Sequence, residues 1–131
     1  MRNEFYRIFI MSLPEGLKRD LAQVLLQHRG IGMAIPRTEL VGLFASKYPT
    51  IRDIDRAIRV AISQLRDENW MIGMSHGGEG YFLVTSMEEF ENFIEDYTQR
   101  AYTVIEKSKR MRETALQVFG AKKPRQMSLI D

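Results

Sequence analysis

The chain contains no cysteine. Disulfides, a thiolate nucleophile and cysteine-type zinc sites are therefore excluded, and a reducing cytoplasm is the expected setting. Histidine is almost as scarce. His28 and His76 are the only two, too far apart to read as a metal pair, and neither lies near a serine or carboxylate constellation that would support catalysis. No enzyme, metal or cofactor is expected. No apolar run approaches the roughly 20 residues of a membrane-spanning helix. The apolar stretch at Phe5–Met11 is broken by Arg7 and lacks a small-residue cleavage site, so it does not read as a signal peptide. No membrane partner is expected. Neither sign of charge dominates, with 19 basic residues against 17 acidic ones and a formal net charge of +2. Binding to nucleic acid therefore has to be argued from where the charges sit.

What is present suits one modest domain with an appendage, at 131 residues with 44% hydrophobic and 27% charged side chains. The informative stretch is Thr50–Thr85. Ile54, Ala57, Ile58, Ala61, Ile62 and Leu65 recur at helical spacing and predict one buried stripe. Arg52, Arg56, Arg59 and Ser63 recur on another face and predict an outward basic stripe, which Asp53, Asp55 and Asp67 are expected to avoid. Thr50 is the expected cap of this helix and Asn69 its end. Trp70–Ser75 and Tyr81–Thr85 then read as two short strands joined by His76-Gly77-Gly78-Glu79-Gly80, whose glycines supply the backbone freedom of a tight turn. His76 and Glu79 sit at the tip, where a side chain reaches a phosphate or simply decorates a loop. The glycines do not form a nucleotide-binding loop, since no helix opens behind them and no Lys-Ser/Thr pair follows.

Before this stretch, residues 1–11 read as an N-terminal arm, either a strand or the lip of a helix, packing Phe5, Ile8, Phe9 and Met11 on the core or on a second subunit. Ser12-Leu13-Pro14-Glu15 has the form of a capping box. Leu17, Leu21, Val24, Leu25 and His28 share the face of the helix expected to follow, with Gly30 as its stop. His28 reads as a partly buried structural histidine. A linker from Gly30 to Pro36 leaves room for a very short strand. Arg37–Lys47 reads as a helix with Leu40, Leu43 and Phe44 inward, closed by Pro49. Two helices joined by a short proline-containing turn, the second basic outside and followed by a hairpin, predict a winged helix-turn-helix.

Ser86 and Glu89 form a further capping box, and Met87–Phe119 contains neither proline nor glycine. Acids crowd its first turns and bases its later ones, as the helix dipole favours. At 1.5 Å per residue this helix would run about 50 Å, longer than a small domain can cover. Met87, Phe90, Ile94, Tyr97, Ala101, Val104, Ser108, Met111, Ala115 and Val118 alternate three and four apart, a heptad seam. The expected fold is thus mostly α with a small β-hairpin, a winged helix-turn-helix followed by a long coiled-coil-like helix. Its parts are an arm (1–11), the winged helix-turn-helix domain (12–86), the long helix (87–119) and a tail (120–131). The seam predicts a homodimer through residues 87–119, although a different protein would fit it too.

The tail turns basic at Ala121-Lys122-Lys123-Pro124-Arg125 and ends Gln126-Met127-Ser128-Leu129-Ile130-Asp131. Gln126, Met127, Ser128, Leu129 and Ile130 resemble the short motif by which bacterial and phage replication proteins dock on the sliding clamp. Met127 and Ile130 stand where leucine and phenylalanine are commoner. The motif pairs a glutamine that hydrogen-bonds with apolar side chains for a greasy pocket.

From about residue 17 to 115 the chain resembles a group of phage and prophage winged-helix proteins. The likeness is carried by Leu65-Arg66 before the wing, Ile72 and Ser75, Gly80-Tyr81-Phe82-Leu83, and Ser86 with Glu88-Glu89 opening a long arginine-rich helix. Asn69-Trp70 stands where that group often has a glycine. The resemblance implies DNA binding and a place in phage replication, DNA processing or gene control. The residues lead to the same expectation, a non-enzymatic protein that binds double-stranded DNA. Arg52, Arg56 and Arg59 would touch phosphates or guanine edges, Ser63 and Gln64 would add lesser contacts, Arg37 and Thr38 would hold the backbone, and His76 would reach from the wing. The alternative is an adaptor or inhibitor that docks on replication machinery, the sliding clamp, through 126–130.

Overall fold

The computed structural model describes residues 2–75 and 80–120. Five α-helices and three strands follow in the order α1 (Arg2–Ser12), α2 (Leu17–Leu25), β1 (Ile35–Pro36), α3 (Arg37–Lys47), α4 (Ile54–Asp67), β2 (Ile72–Met74), β3 (Gly80–Leu83) and α5 (Met87–Phe119), with a single 3₁₀ turn at Ile31–Met33 before β1. This is a winged helix-turn-helix continued by a long helix, as expected. The chain divides into two units, residues 1–93 and 94–131. The arm is thus part of the domain, and so is the start of α5.

Helices α2, α3 and α4 meet over Leu21, Leu25, Leu40, Phe44, Ile58, Ile62 and Leu65, all buried. In α3 the inward positions are Leu40, Val41 and Phe44, while Leu43 stays 51% exposed. The expectation for Leu43 fails because Leu40, Val41 and Phe44 define the inward face and, at 3.6 residues per turn, Leu43 falls about 100° round the helix from its centre.

The arm is α-helical. Tyr6 and Ile10, one helical turn apart, are its buried residues, with Phe5 and Phe9 packed beside them. The Tyr6 ring lies 4.4 Å from that of Trp70, and Phe9 meets Trp70 edge-on at 5.8 Å. The Met71 N–H donates to the Tyr6 hydroxyl at 3.3 Å. The Ser12 hydroxyl donates back to the Phe9 carbonyl at 2.6 Å, so it closes α1 instead of opening α2. Gly16 takes the N-cap of α2 with no side-chain bond, and α2 stops at Leu25, well short of Gly30. The Nδ1 of His28 lies 2.7 Å from the Met33 carbonyl, the structural role expected of it.

The sheet is antiparallel in the order β1-β3-β2, with Ile35 opposite Tyr81 and Ile72 opposite Leu83. Central β3 is buried throughout. Gly73 faces Phe82 across the ladder, and a Cβ there would lie 2.7 Å from the Phe82 ring. A side chain at Gly73 would therefore have to displace the buried Phe82 ring. At the end of α4, Asn69 takes a positive φ of 73°. The Trp70 N–H reaches the Leu65 carbonyl at 2.9 Å and the Asn69 N–H reaches Arg66 at 3.0 Å. This pairing closes a helix through a left-handed residue, a position asparagine tolerates better than other non-glycine residues.

Glu89 joins the first turn of α5 to the rest of its unit. The Ile31 N–H donates to it at 2.8 Å, the Thr85 N–H at 2.9 Å and the Thr85 hydroxyl at 3.0 Å. The Glu89 N–H in turn donates to the Ser86 hydroxyl at 3.1 Å, so Ser86 caps α5 as expected, while the Glu89 carboxylate turns to Thr85 and Ile31 where a full capping box would have it accept the Ser86 N–H. No helix among the described residues is long and apolar enough to cross a membrane.

Candidate nucleic-acid interface

Helix α4 begins later than its spacing suggests. A turn closed by the Ile51 N–H on the Tyr48 carbonyl precedes it, and the cap is Asp53, whose carboxylate accepts the Arg56 N–H at 3.1 Å. Thr50 is not the cap. Arg52 consequently lies before the helix, exposed in the turn between α3 and α4, and is not part of its stripe.

Arg56, Arg59 and Ser63 share the exposed face of α4, and Gln64 is exposed next to Ser63. Ile58, Ala61, Ile62 and Leu65 bury the opposite face. Arg56, Arg59, Val60 and Ser63 line a shallow concavity. Val60 is 45% exposed within it. The apolar stripe read from the sequence already leaves Val60 out, so its presence at the surface was readable, though its role among the arginines was not. An apolar side chain there suits a thymine methyl, and the arginines suit guanine edges or phosphates.

Arg37 is the first residue of α3 and Thr38 follows it, both exposed. The Asp55 carboxylate binds the Arg37 guanidinium at 3.0 Å and the Arg59 Nε at 3.3 Å. The expectation that the acids of α4 stay clear of the basic stripe fails at Asp55. A carboxylate in the first turn of a helix is favoured by the helix dipole, and from there it reaches one turn forward to Arg59 and across to α3. Among the described residues Arg56 forms no ion pair. The concavity thus carries one unneutralised guanidinium, while Asp55 is shared between Arg59 and Arg37.

Tyr81, on β3, is held by burial above its ordinary value, with Arg37 pulling the other way. Its phenol remains neutral at physiological pH. Arg66 does not belong to the outward face. Its Nε donates to the Ile72 carbonyl at 3.0 Å and its guanidinium lies 5.3 Å from the Phe93 ring.

His76 and the wing tip, and the tail segment Gln126, Met127, Ser128, Leu129 and Ile130, lie outside the described residues. A scan against protein-family models finds no match for this chain, and searches of curated proteins and of solved structures find none either.

Proposed function

We propose that the protein is a non-enzymatic, cytoplasmic, double-stranded-DNA-binding winged-helix protein, of the phage and prophage kind that the sequence resembles, acting as a dimer in replication or gene regulation. The observation that carries this reading is the exposed face of α4, where Arg56, Arg59 and Ser63 surround an apolar side chain while the opposite face is buried. Helix α4 enters a major groove. Arg56 makes the strongest contribution, because no acid among the described residues pairs with its charge, and Arg52, Arg37 and Thr38 hold the flanking phosphates. A bidentate arginine–guanine pair supplies about 1 to 3 kcal/mol of discrimination.

The test is a fluorescence-anisotropy titration of duplex DNA at several salt concentrations, comparing wild type with Arg56→Ala and Arg59→Ala. Weaker binding supports the reading, with a salt slope shallower by about 0.9 for each phosphate that the variant no longer neutralises. Equal affinity and equal slope in both variants overturn it.

A further inference from the structure

The second unit leaves the direction of any pairing to the chemistry of its seam. Tyr97 is 47% exposed, and Val104, Met111 and Val118 are 65%, 72% and 66% exposed. They take every second seam position. The positions between them, after Ile94, are Ala101, Ser108 and Ala115, all small. The seam therefore runs large, small, large, small.

That alternation decides between the two ways of packing the helix on its own copy. A parallel pair stacks each seam residue on its equivalent. Alanine would face alanine and serine would face serine, leaving voids, while tyrosine would crowd tyrosine and methionine would crowd methionine. An antiparallel pair sets Tyr97, Val104 and Met111 each against a small residue and leaves large on large only where Ile94 meets Val118 at the two ends, and interdigitated layers of that kind fill space at ordinary protein density. The surface already has the matching hollow. Lys107, Arg110 and Phe119 border a shallow concavity that is also lined by the four residues Met111, Thr114, Ala115 and Val118. Those four occupy the seam and flanking positions that form a hole for one incoming knob.

Charge points the same way. In a parallel pair Lys107 on one helix lies beside Arg112 on the other, on both flanks. Antiparallel packing separates them and leaves a single Lys107–Lys107 approach near the two-fold axis. It also sets the half that carries Glu95, Asp96 and Arg100 against the half that carries Lys107, Lys109, Arg110, Arg112 and Glu113, net negative against net positive. The helix dipoles oppose as well.

We propose that α5 binds a second copy of itself antiparallel over Ile94–Val118. Ile94 then faces Val118 of the second copy, Tyr97 faces Ala115, Ala101 faces Met111 and Val104 faces Ser108. This register buries the whole seam of the second unit, and it rests on the dimeric part of the function proposed above.

The chain's lack of cysteine makes the test direct. Tyr97→Cys and Ala115→Cys are prepared as single variants of the full chain, one carrying a mass tag, then oxidised alone and mixed. Efficient disulfide formation only in the mixture is the expected result, because a disulfide needs Cα atoms within about 7 Å. Covalent dimers from either variant alone overturn the antiparallel direction. Light scattering of the wild type at micromolar concentration separates the two failures, since a monomer overturns self-association itself. Ala101→Leu with Ala115→Leu reads the direction independently. Overpacked antiparallel layers lower the dimer fraction, whereas filled parallel layers raise it, and the latter result overturns the proposal.

Discussion

The carboxylate of Asp55, in the first turn of α4, holds the guanidinium of Arg37, at the start of α3, at 3.0 Å. The same carboxylate lies 3.3 Å from Arg59. One acid thus draws two cations of the candidate interface toward itself and offsets part of their field. Asp55→Asn is expected to strengthen binding to duplex DNA of any sequence, and to steepen its salt dependence, because both guanidinium groups become available to phosphates. The pairs are partly exposed, so the loss of folding stability should not exceed about 1 kcal/mol. Anisotropy titration and thermal melting measure the two effects. Affinity that stays level or drops would remove Arg37 and Arg59 from the DNA-binding surface.

Trp70 is the chain's only tryptophan, and it is the anchor of α1. Tyr6 and Phe9 both pack on its ring. Trp70→Ala should cost about 3 to 5 kcal/mol in urea denaturation, as truncating a buried aromatic side chain does. Tyr6→Phe keeps the ring and removes the partner of the Met71 N–H, so about 1 kcal/mol is expected. Trp70 fluorescence follows unfolding in the Tyr6 variant. A Tyr6→Phe protein as stable as wild type would mean that water satisfies the Met71 amide.

Stability should fall in acid through Glu89 and Asp20. Burial pushes the Glu89 carboxyl up, but the donors Ile31 and Thr85 outweigh it and hold it below its ordinary 4.5. In Asp20, burial is likewise outweighed by Lys47 and Tyr48. Each carboxylate therefore binds fewer protons in the folded state. Their contribution is complete above the ordinary carboxylate range and is lost as pH falls through the lowered values. Glu89→Gln is expected to flatten the acid limb of stability against pH, measured by urea midpoints. An acid limb identical to wild type would rule Glu89 out as a source.

The alkaline limb, to which Tyr81 also contributes through burial, belongs chiefly to Tyr48. Its hydrogen bond to Asp20, aided by burial, pushes the phenol from 10.0 up to about 12. Between those values the unfolded chain loses the proton and the folded chain keeps it. Stability is therefore whole below about pH 10 and declines as pH climbs toward 12. Tyr48→Phe should lessen that decline, leaving the part that Tyr81 contributes, and lower the stability at neutral pH. Ultraviolet titration of the phenols gives a second reading, with Tyr48 and Tyr81 of the wild type both ionising late and only Tyr81 doing so in the variant.

The two faces of α4 were legible because a helix with one buried side imprints its period on the sequence, and Ile58, Ala61, Ile62 and Leu65 carry it without ambiguity. The stop at Asn69 and the Ser86 cap of α5 were legible for a similar reason, since each is a local bond between near neighbours, although the positive φ of Asn69 and the turn of Glu89 toward Ile31 were not. The arm was not. Phe5, Tyr6, Ile8, Phe9 and Ile10 are apolar nearly all round, so periodicity alone does not separate a strand from a helix, and Ser12 suits the end of one helix as well as the start of the next. Which residue caps α4 depended on a turn at Tyr48–Ile51 that competes with Thr50. The Asp55 link to Arg37 depended on how α3 and α4 cross, which no spacing within either helix encodes.

The wing sheet is short at both margins. Strand β1 supplies two residues, one of them Pro36, which has no N–H to offer, and β2 supplies three. Fibril growth starts by recruiting a strand onto an exposed sheet edge, and edges this brief make a poor template for it.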